Sequence, residues 1–374
     1  MPNSFQLIDI IIIIGICQGI FLAITLQRIS NNNRQANRAL SFLIILATLM
    51  LIGRFVYFRY LNYWVFQWSI LVDAIVFLFG PLVYTYIKRL LFKGKGTYQM
   101  ARYHFLPFLG MVIVALYLIL FYSPLEYYGL FTDGNLLDIF HIIGAIMILF
   151  NIVYLVKSFV LLKQFRHDEK EVFSFEQTPV TYIKYFLYTI SVCLGLWLVS
   201  YLNTVLLDHY FTYINYESVW VAIPVFIYVI GYFSLKQPEL FRISEEQKII
   251  QKKERLSEIE SAVLKKRLDS LMTNERVFME NDLTLSDVAK QLKTSTNNIS
   301  WVLNTVYDTT FYDFINGYRV KEFIQKVENN EHLNHTILAL SMDSGFNSKS
   351  TFNKAFKILM KDTPSNFIKN HRAA

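Results

Sequence analysis

Cysteine is nearly absent. The 374-residue chain holds two, Cys17 and Cys193, each isolated inside an apolar run, which excludes a disulfide framework and a cysteine-based zinc site. No His/Cys cluster, no G-x-x-x-x-G-K-[ST], no H-E-x-x-H and no G-x-S-x-G occurs, so nothing argues for an enzyme, a metal or a cofactor. Charge is also scarce, at 17% of residues, and unevenly spread. Residues 1–235 carry 15 Lys/Arg and 11 Asp/Glu, whereas the remaining 139 carry 21 and 18. A charged tail follows an apolar body.

What the body has is length of hydrophobic run. Seven stretches, at 7–26, 40–61, 65–87, 103–123, 138–162, 183–207 and 218–235, each approach the roughly 20 residues that cross a bilayer. The first has no basic residue before Arg28 and no small-residue cleavage site after it, so it reads as a retained span rather than a secretory leader. The intervening loops alternate in charge. Loops 27–39, 88–102 and 163–182 carry 11 Lys/Arg, and segments 1–6, 62–64, 124–137 and 208–217 carry none. Buried helices of a soluble protein would not alternate in this way. The positive-inside rule puts the amino terminus outside and the tail in the cytoplasm, as an odd span count requires.

The outer loops hold about 3, 14 and 10 residues, far below the roughly 40 that fold alone. Recognition of a ligand is therefore expected within the bundle, at its outer mouth, or through another membrane protein. Candidate signal residues are the ionisable side chains of the outer layer, Asp9, Arg54, Asp73 and His141, with Arg59 beside them. Arg54 and Asp73 stand at similar depth on neighbouring spans, which suits either a structural ion pair or a ligand site. Pro81, Pro107 and Pro224 are expected to kink their spans.

The tail opens with a connector, residues 236–274. Ser244 and Gln247 have capping-box spacing, and a charged helix is expected from there to about Asn274. Ile249, Leu256 and Val263 recur every seven residues, a weak seam interrupted by Lys252 and Lys266. It reads as a solvated connecting helix whose second half is the first helix of the next domain, or as a dimer contact that carries signal.

Residues 275–374 read as a helical domain with an internal repeat. Thr284 caps a helix with Leu285, Val288, Ala289 and Leu292 inward, and Asp287 sits at the capping-box position. Ser295 caps a second helix with Ile299, Val302, Leu303 and Val306 inward and Asn297, Ser300, Trp301 and Asn304 outward. Two short helices around a tight turn make a helix-turn-helix unit. The pattern returns with Thr336 before Ile337, Leu340, Ser341 and Ser344. Ser348 then precedes inward Phe352, Ala355, Phe356 and Leu359, with Lys349, Ser350, Asn353, Lys354 and Lys357 outward. A continuous helix from Phe311 to about Glu328 separates the two units. At 1.5 Å per residue it is roughly 27 Å long, which suits two reading helices about one DNA turn, roughly 34 Å, apart. Residues 344–374 hold six Lys/Arg against Asp362 alone, a balance suited to phosphate and guanine.

Residues 282–371 resemble the DNA-binding domain of the AraC/XylS family of bacterial transcription regulators. The resemblance rests on LTLSDVAKQL, on STNNISWVLN, on Arg319 in the connecting helix, and on the run GFNSKSTFNKAFK with DTPSNF after it. It implies two reading helices in adjacent major grooves of promoter DNA. By motif position, base-reading roles fall on Asn297, Ser300 and Trp301 and on Lys349, Ser350, Asn353 and Lys354, with Lys357 on the same basic face. Trp301 stands where the family often has a polar side chain, so it reads either as a base contact or as a packed residue. Ser341 and Ser344 replace larger apolar side chains and are expected to soften the second core.

The whole is an all-α chain. A seven-span membrane domain (1–235), resembling multi-span sensor regions found ahead of such domains, leads through the connector (236–274) to a cytoplasmic double helix-turn-helix domain (275–374). The partners implied are double-stranded promoter DNA, membrane lipid, and a signal ligand or membrane protein. RNA polymerase and a second copy of the chain remain open. The location implied is the bacterial inner membrane. The competing reading is a transporter or membrane enzyme with a protein-docking tail.

Overall fold

The computed structural model describes residues 6–28, 34–93, 101–134, 136–175, 179–206, 216–236, 243–244 and 256–373. It divides into two compact units, one of Met1–Leu162 with Thr178–Arg242, the other of Lys163–Gln177 with Ile243–Ala374.

The first unit is built from α1 (Leu7–Arg28), α2 (Arg34–Arg59), α3 (Tyr63–Ala74), α4 (Val76–Leu91), α5 (Leu106–Phe121), α6 (Pro124–Thr132), most of α7 (Leu137–Val172), α8 (Pro179–Val205) and α9 (Tyr216–Lys236). Among the described residues six helical stretches are long and apolar enough to cross a membrane: Leu7–Arg28, Arg34–Arg59, Tyr63–Leu91, Arg102–Phe121, Leu137–Val172 and Val180–Val205. The seventh expected run falls on α9, where the apolar stretch Val219–Tyr232 is shorter. Side chains that a water-soluble bundle would bury lie on the outside, among them Ile14 and Phe21 of α1, Ile113 and Leu120 of α5, and Leu149 and Val160 of α7. An apolar exterior of this extent suits lipid rather than water.

Small residues and side-chain amides stand at the contacts between the helices of the bundle, the kind of packing that apolar surroundings favour. Helix α1 packs on α2 and α9, and a Cβ added at Gly15 would stand 2.7 Å from Pro224 Cγ. The third span is two helices, α3 and α4, parted at Ile75. Asn151 of α7 holds the first turn of α4: its Oδ1 accepts from Gly80 N–H at 2.9 Å, and its Nδ2 donates to Val76 O at 3.3 Å and Met147 O at 2.9 Å. Gln67 Nε2 likewise donates to Leu118 O (3.0 Å) and Tyr122 O (2.8 Å), covering carbonyls at the end of α5. Backbone groups without water need such partners.

Several boundaries differ from the expectation. Helix α7 does not stop at residue 162 but continues to Val172, and α8 begins at Pro179, so most of the expected loop 163–182 is helical. The outer segment 124–137 contains α6, started by a Ser123/Glu126 capping box. In the tail, Ser244 lies in the two-residue extended segment Ile243–Ser244, while Gln247, Ile249 and Lys252 fall outside the described residues. The described helix there is α10 (Glu258–Thr273), capped by Ser257 and Glu260.

The second unit continues with α11 (Leu285–Gln291), α12 (Thr296–Val306), α13 (Phe311–Glu328), α14 (Ile337–Met342), α15 (Lys349–Met360) and α16 (Pro364–Ala373). It has two cores. The first gathers Leu264, Leu268, Leu271 and Met272 of α10 with Val288, Ile299, Val302, Leu303, Phe311 and Ile315. The second gathers Val320, Phe323 and Val327 with Leu340, Phe346, Phe352, Phe356 and Ile368. Helix α13 thus gives its first half to one core and its second half to the other. Two expected core residues are not in them: Val306 is 40% exposed and Leu359 48%. Each sits in the last turn of its helix. There the i+4 neighbours of Leu303 and Phe356, Tyr307 and Met360, pack on the cores instead.

Candidate nucleic-acid interface and bundle cavity

Local chemistry sets both helix-turn-helix units. Thr284 Oγ1 accepts from Asp287 N–H at 3.2 Å and Asp287 Oδ2 accepts from Thr284 N–H at 3.1 Å, a reciprocal box that starts α11. Lys293, at φ 50°, turns the chain, and Ser295 Oγ accepts from Asn298 N–H at 3.2 Å to start α12. Helix α10 braces this unit from behind. Arg267 Nη2 donates to Leu292 O at 2.5 Å, and Tyr307 donates its hydroxyl to Asp269 Oδ1 at 2.6 Å. Burial first, then this carboxylate, pushes the Tyr307 hydroxyl above its ordinary pKa.

The second unit repeats the scheme. Thr336 Oγ1 accepts from Ala339 N–H and Ser348 Oγ from Thr351 N–H, both at 3.1 Å. Between α14 and α15 stands Gly345 at φ +90°, where an added Cβ would lie 2.6 Å from Phe278 O. Only glycine combines that backbone with that approach. The hydroxyls of Ser341 and Ser344, both fully buried, donate to Leu338 O and Leu340 O at 2.7 Å, so neither is left unsatisfied in the second core.

The outward residues of the two reading helices differ in kind. On α15, Lys349, Ser350, Asn353, Lys354 and Lys357 are all exposed, and the helix contains no acid. Its amino end offers backbone N–H groups and positive potential to phosphate. On α12, Asn297 is half-buried, Ser300 is buried at 5% exposure, and Trp301 packs against the first core. Asn304 is exposed, and its amide donates to Ser300 Oγ at 3.3 Å and to Glu171 Oε2 at 3.2 Å.

Arg319 lies at the centre of the second unit, 0% exposed. Its place was legible as periodicity: Ile315, Arg319 and Phe323 recur at i+4 on the buried face of α13. The parts played by Ser174, 145 positions from Arg319, and by Glu171, 133 positions from Asn304, had no sequence signal, because contacts so remote leave no local pattern.

In the first unit a cavity of about 260 Å³ opens among α2, α3, α4, α7, α8 and α9, with walls that include Met50, Phe79, Leu194, Trp197, Trp220 and Phe226. Asp73 is the one charged residue on its lining, and Asn151 is also there. Of the other candidate signal residues, none lines it. Asp9 pairs with Arg59 at 3.8 Å. The Arg54 guanidinium lies over the Phe58 ring, 3.4 Å from its centroid, and 5.3 Å from that of Trp220. The backbone carbonyl of His141 accepts from the Tyr201 hydroxyl at 2.9 Å.

Two capped helix pairs on a shared helix, with an acid-free basic face on the second, define a double helix-turn-helix module that binds double-stranded DNA. Comparison with known families agrees: residues 288–370 match the family described as a helix-turn-helix domain, and this part of the chain is an AraC-type helix-turn-helix domain. No curated protein and no solved structure matches the chain.

Proposed function

We propose that the chain is a membrane-tethered, one-component transcription regulator of the bacterial inner membrane. Its α9 forms the seventh span, its amino terminus lies outside, and its helix-turn-helix units read promoter DNA in the cytoplasm. The observation that carries this reading is the exposed, acid-free row Lys349, Asn353, Lys354 and Lys357 on α15, in a chain whose other unit has an apolar exterior. Lys349 and Lys354 contact phosphate or guanine, Asn353 offers bidentate bonds to adenine, and Ser350 and Asn297 lie beside them. The signal enters at the bundle cavity, where apolar and aromatic walls around one carboxylate suit a small amphipathic molecule carrying a positive charge.

The test uses the full chain in lipid nanodiscs with DNA from upstream of its own gene. Binding should weaken steeply with salt, and Lys354→Ala should lower affinity with a salt slope shallower by about one. Asp73→Asn should leave DNA binding in nanodiscs intact while changing the response of a promoter reporter in cells. A full chain with no DNA affinity even at low salt would sink the regulator reading; an unaltered reporter response would remove the cavity from it.

A further inference from the structure

The chain that follows α7 is built into the DNA-binding unit. Phe173 pairs with Thr284 in an isolated antiparallel bridge. Ser174 donates to Leu283 O from its N–H at 3.3 Å and from its hydroxyl at 2.7 Å. The Ser174 carbonyl accepts from Arg319 Nη1 at 3.0 Å and from Asn316 Nδ2 at 2.9 Å, and its hydroxyl accepts from Arg319 Nη2 at 3.1 Å. Arg319 directs its remaining donors at Phe278 O (2.7 Å), Glu280 O (2.5 Å) and Asn316 Oδ1 (3.2 Å). Burial pushes its pKa down to about 10, against the opposing pull of Tyr312 and Asp282, so at neutral pH it stays a cation. A buried cation held only by dipoles loses heavily if any of them leaves. Ser174 is therefore a fixed seat.

One turn earlier the contacts are of another kind. The Lys170 ammonium lies over the Tyr312 ring at 5.5 Å, and the Glu171 carboxylate accepts from Asn304 on the outward face of α12. Both are at the surface end of the seat, where they exchange with solvent at little cost. Glu171 brings a negative charge to the face that the other reading helix keeps free of acids.

We infer that residues 170–175 are an intramolecular ligand of the first helix-turn-helix unit, anchored by Ser174 on Arg319, with the Glu171 carboxylate occupying the place of a DNA phosphate beside Asn304. Docked Glu171 and a duplex compete for α12. Because α7 runs unbroken from Leu137 to Val172, a shift of that helix moves Glu171 about the Ser174 anchor and changes DNA affinity. The inference rests on the reading of α12 as a groove-facing helix.

The test is a thiol crosslink in the full chain in nanodiscs, with Cys17→Ser and Cys193→Ser to clear native thiols, Glu171→Cys with Asn304→Cys as the reporting pair, and a short bis-methanethiosulfonate linker to replace the lost side-chain length. The linker should form the crosslink, promoter DNA should slow it, and the crosslinked chain should bind DNA at least about tenfold more weakly than the same chain after reduction. In the otherwise native chain, Glu171→Gln keeps the hydrogen-bond acceptor and should tighten DNA binding about threefold or more. Absence of the crosslink, full DNA affinity in the crosslinked chain, or unchanged or weaker binding by Glu171→Gln overturns the competition. Native chain that binds no DNA defeats the regulator reading itself, and the competition falls with it.

Discussion

The carbonyl of Phe278 is where the two helix-turn-helix units meet. It accepts from Arg319 Nε, and it is the nearest atom to the space where a Gly345 side chain would stand. The glycine that opens the second unit's signature run is thus required by a contact with the first unit as well as by its own turn. Gly345→Ala combines left-handed strain with a clash against backbone, which cannot yield as a side-chain tip would, and should cost about 2–4 kcal/mol. Thermal unfolding followed by Trp301 fluorescence, in a chain whose other four tryptophans are replaced by Phe, would show it, and an unchanged midpoint would refute the account. Caps were legible at this scale because each is decided within four residues: Thr284, Ser295, Thr336 and Ser348 all cap as their spacing indicates. The seat of Arg319 was not, since a guanidinium that binds carbonyls leaves no charged partner in the sequence to find. Ser300 and Trp301 were read from the outward face of an isolated helix, and neighbouring chain covers part of that face.

At the scale of elements, α10 is the second half of the expected connector, and it packs as the first helix of the DNA-binding unit. Its seam residue Val263 is exposed, as is Ile259, while Leu264, Leu268, Leu271 and Met272 turn to the first core. The heptad search followed the wrong stripe, because Leu264, Leu268 and Leu271 at i, i+4, i+7 make a helix face rather than a coiled-coil seam. Leu268→Ala should accordingly destabilise the DNA-binding unit by about 2–5 kcal/mol, as for any large-to-small change in a packed core. Ile259→Ala should change stability by no more than about 0.5 kcal/mol. Equal effects of the two, measured by denaturant titration of the full chain, would refute the placing of Leu268 in the first core. Helix α13 was legible from Phe311 to Glu328 because Thr310 and a long run without proline define it locally. The break at Ile75 was not, since β-branched and aromatic residues on either side favour neither helix continuation nor a stop.

For the whole molecule, run length made the long apolar helices legible, and the structure supplies the apolar exterior that such runs imply. Composition alone could not say that α7 continues ten residues beyond its apolar run into the second unit, because its added turns are polar and lack a breaker. The proposed orientation makes a direct forecast. A phosphatase reporter that works only outside the cytoplasm should be active when inserted after Asp133 and inactive when fused after Ala374; the reverse pattern would invert the topology.

One helix, α13, serves both cores, and this ties the geometry of DNA reading to a residue count. Each residue added to a helix advances it by about 1.5 Å and turns it by about 100°. An insertion between Arg319 and Phe323 would leave each core nearly whole yet swing α15 round the duplex, out of step with α12. The permitted spacing between the two halves of an operator is therefore set by the phase of a single helix, and operators whose halves differ by one base pair would be foreign to this chain.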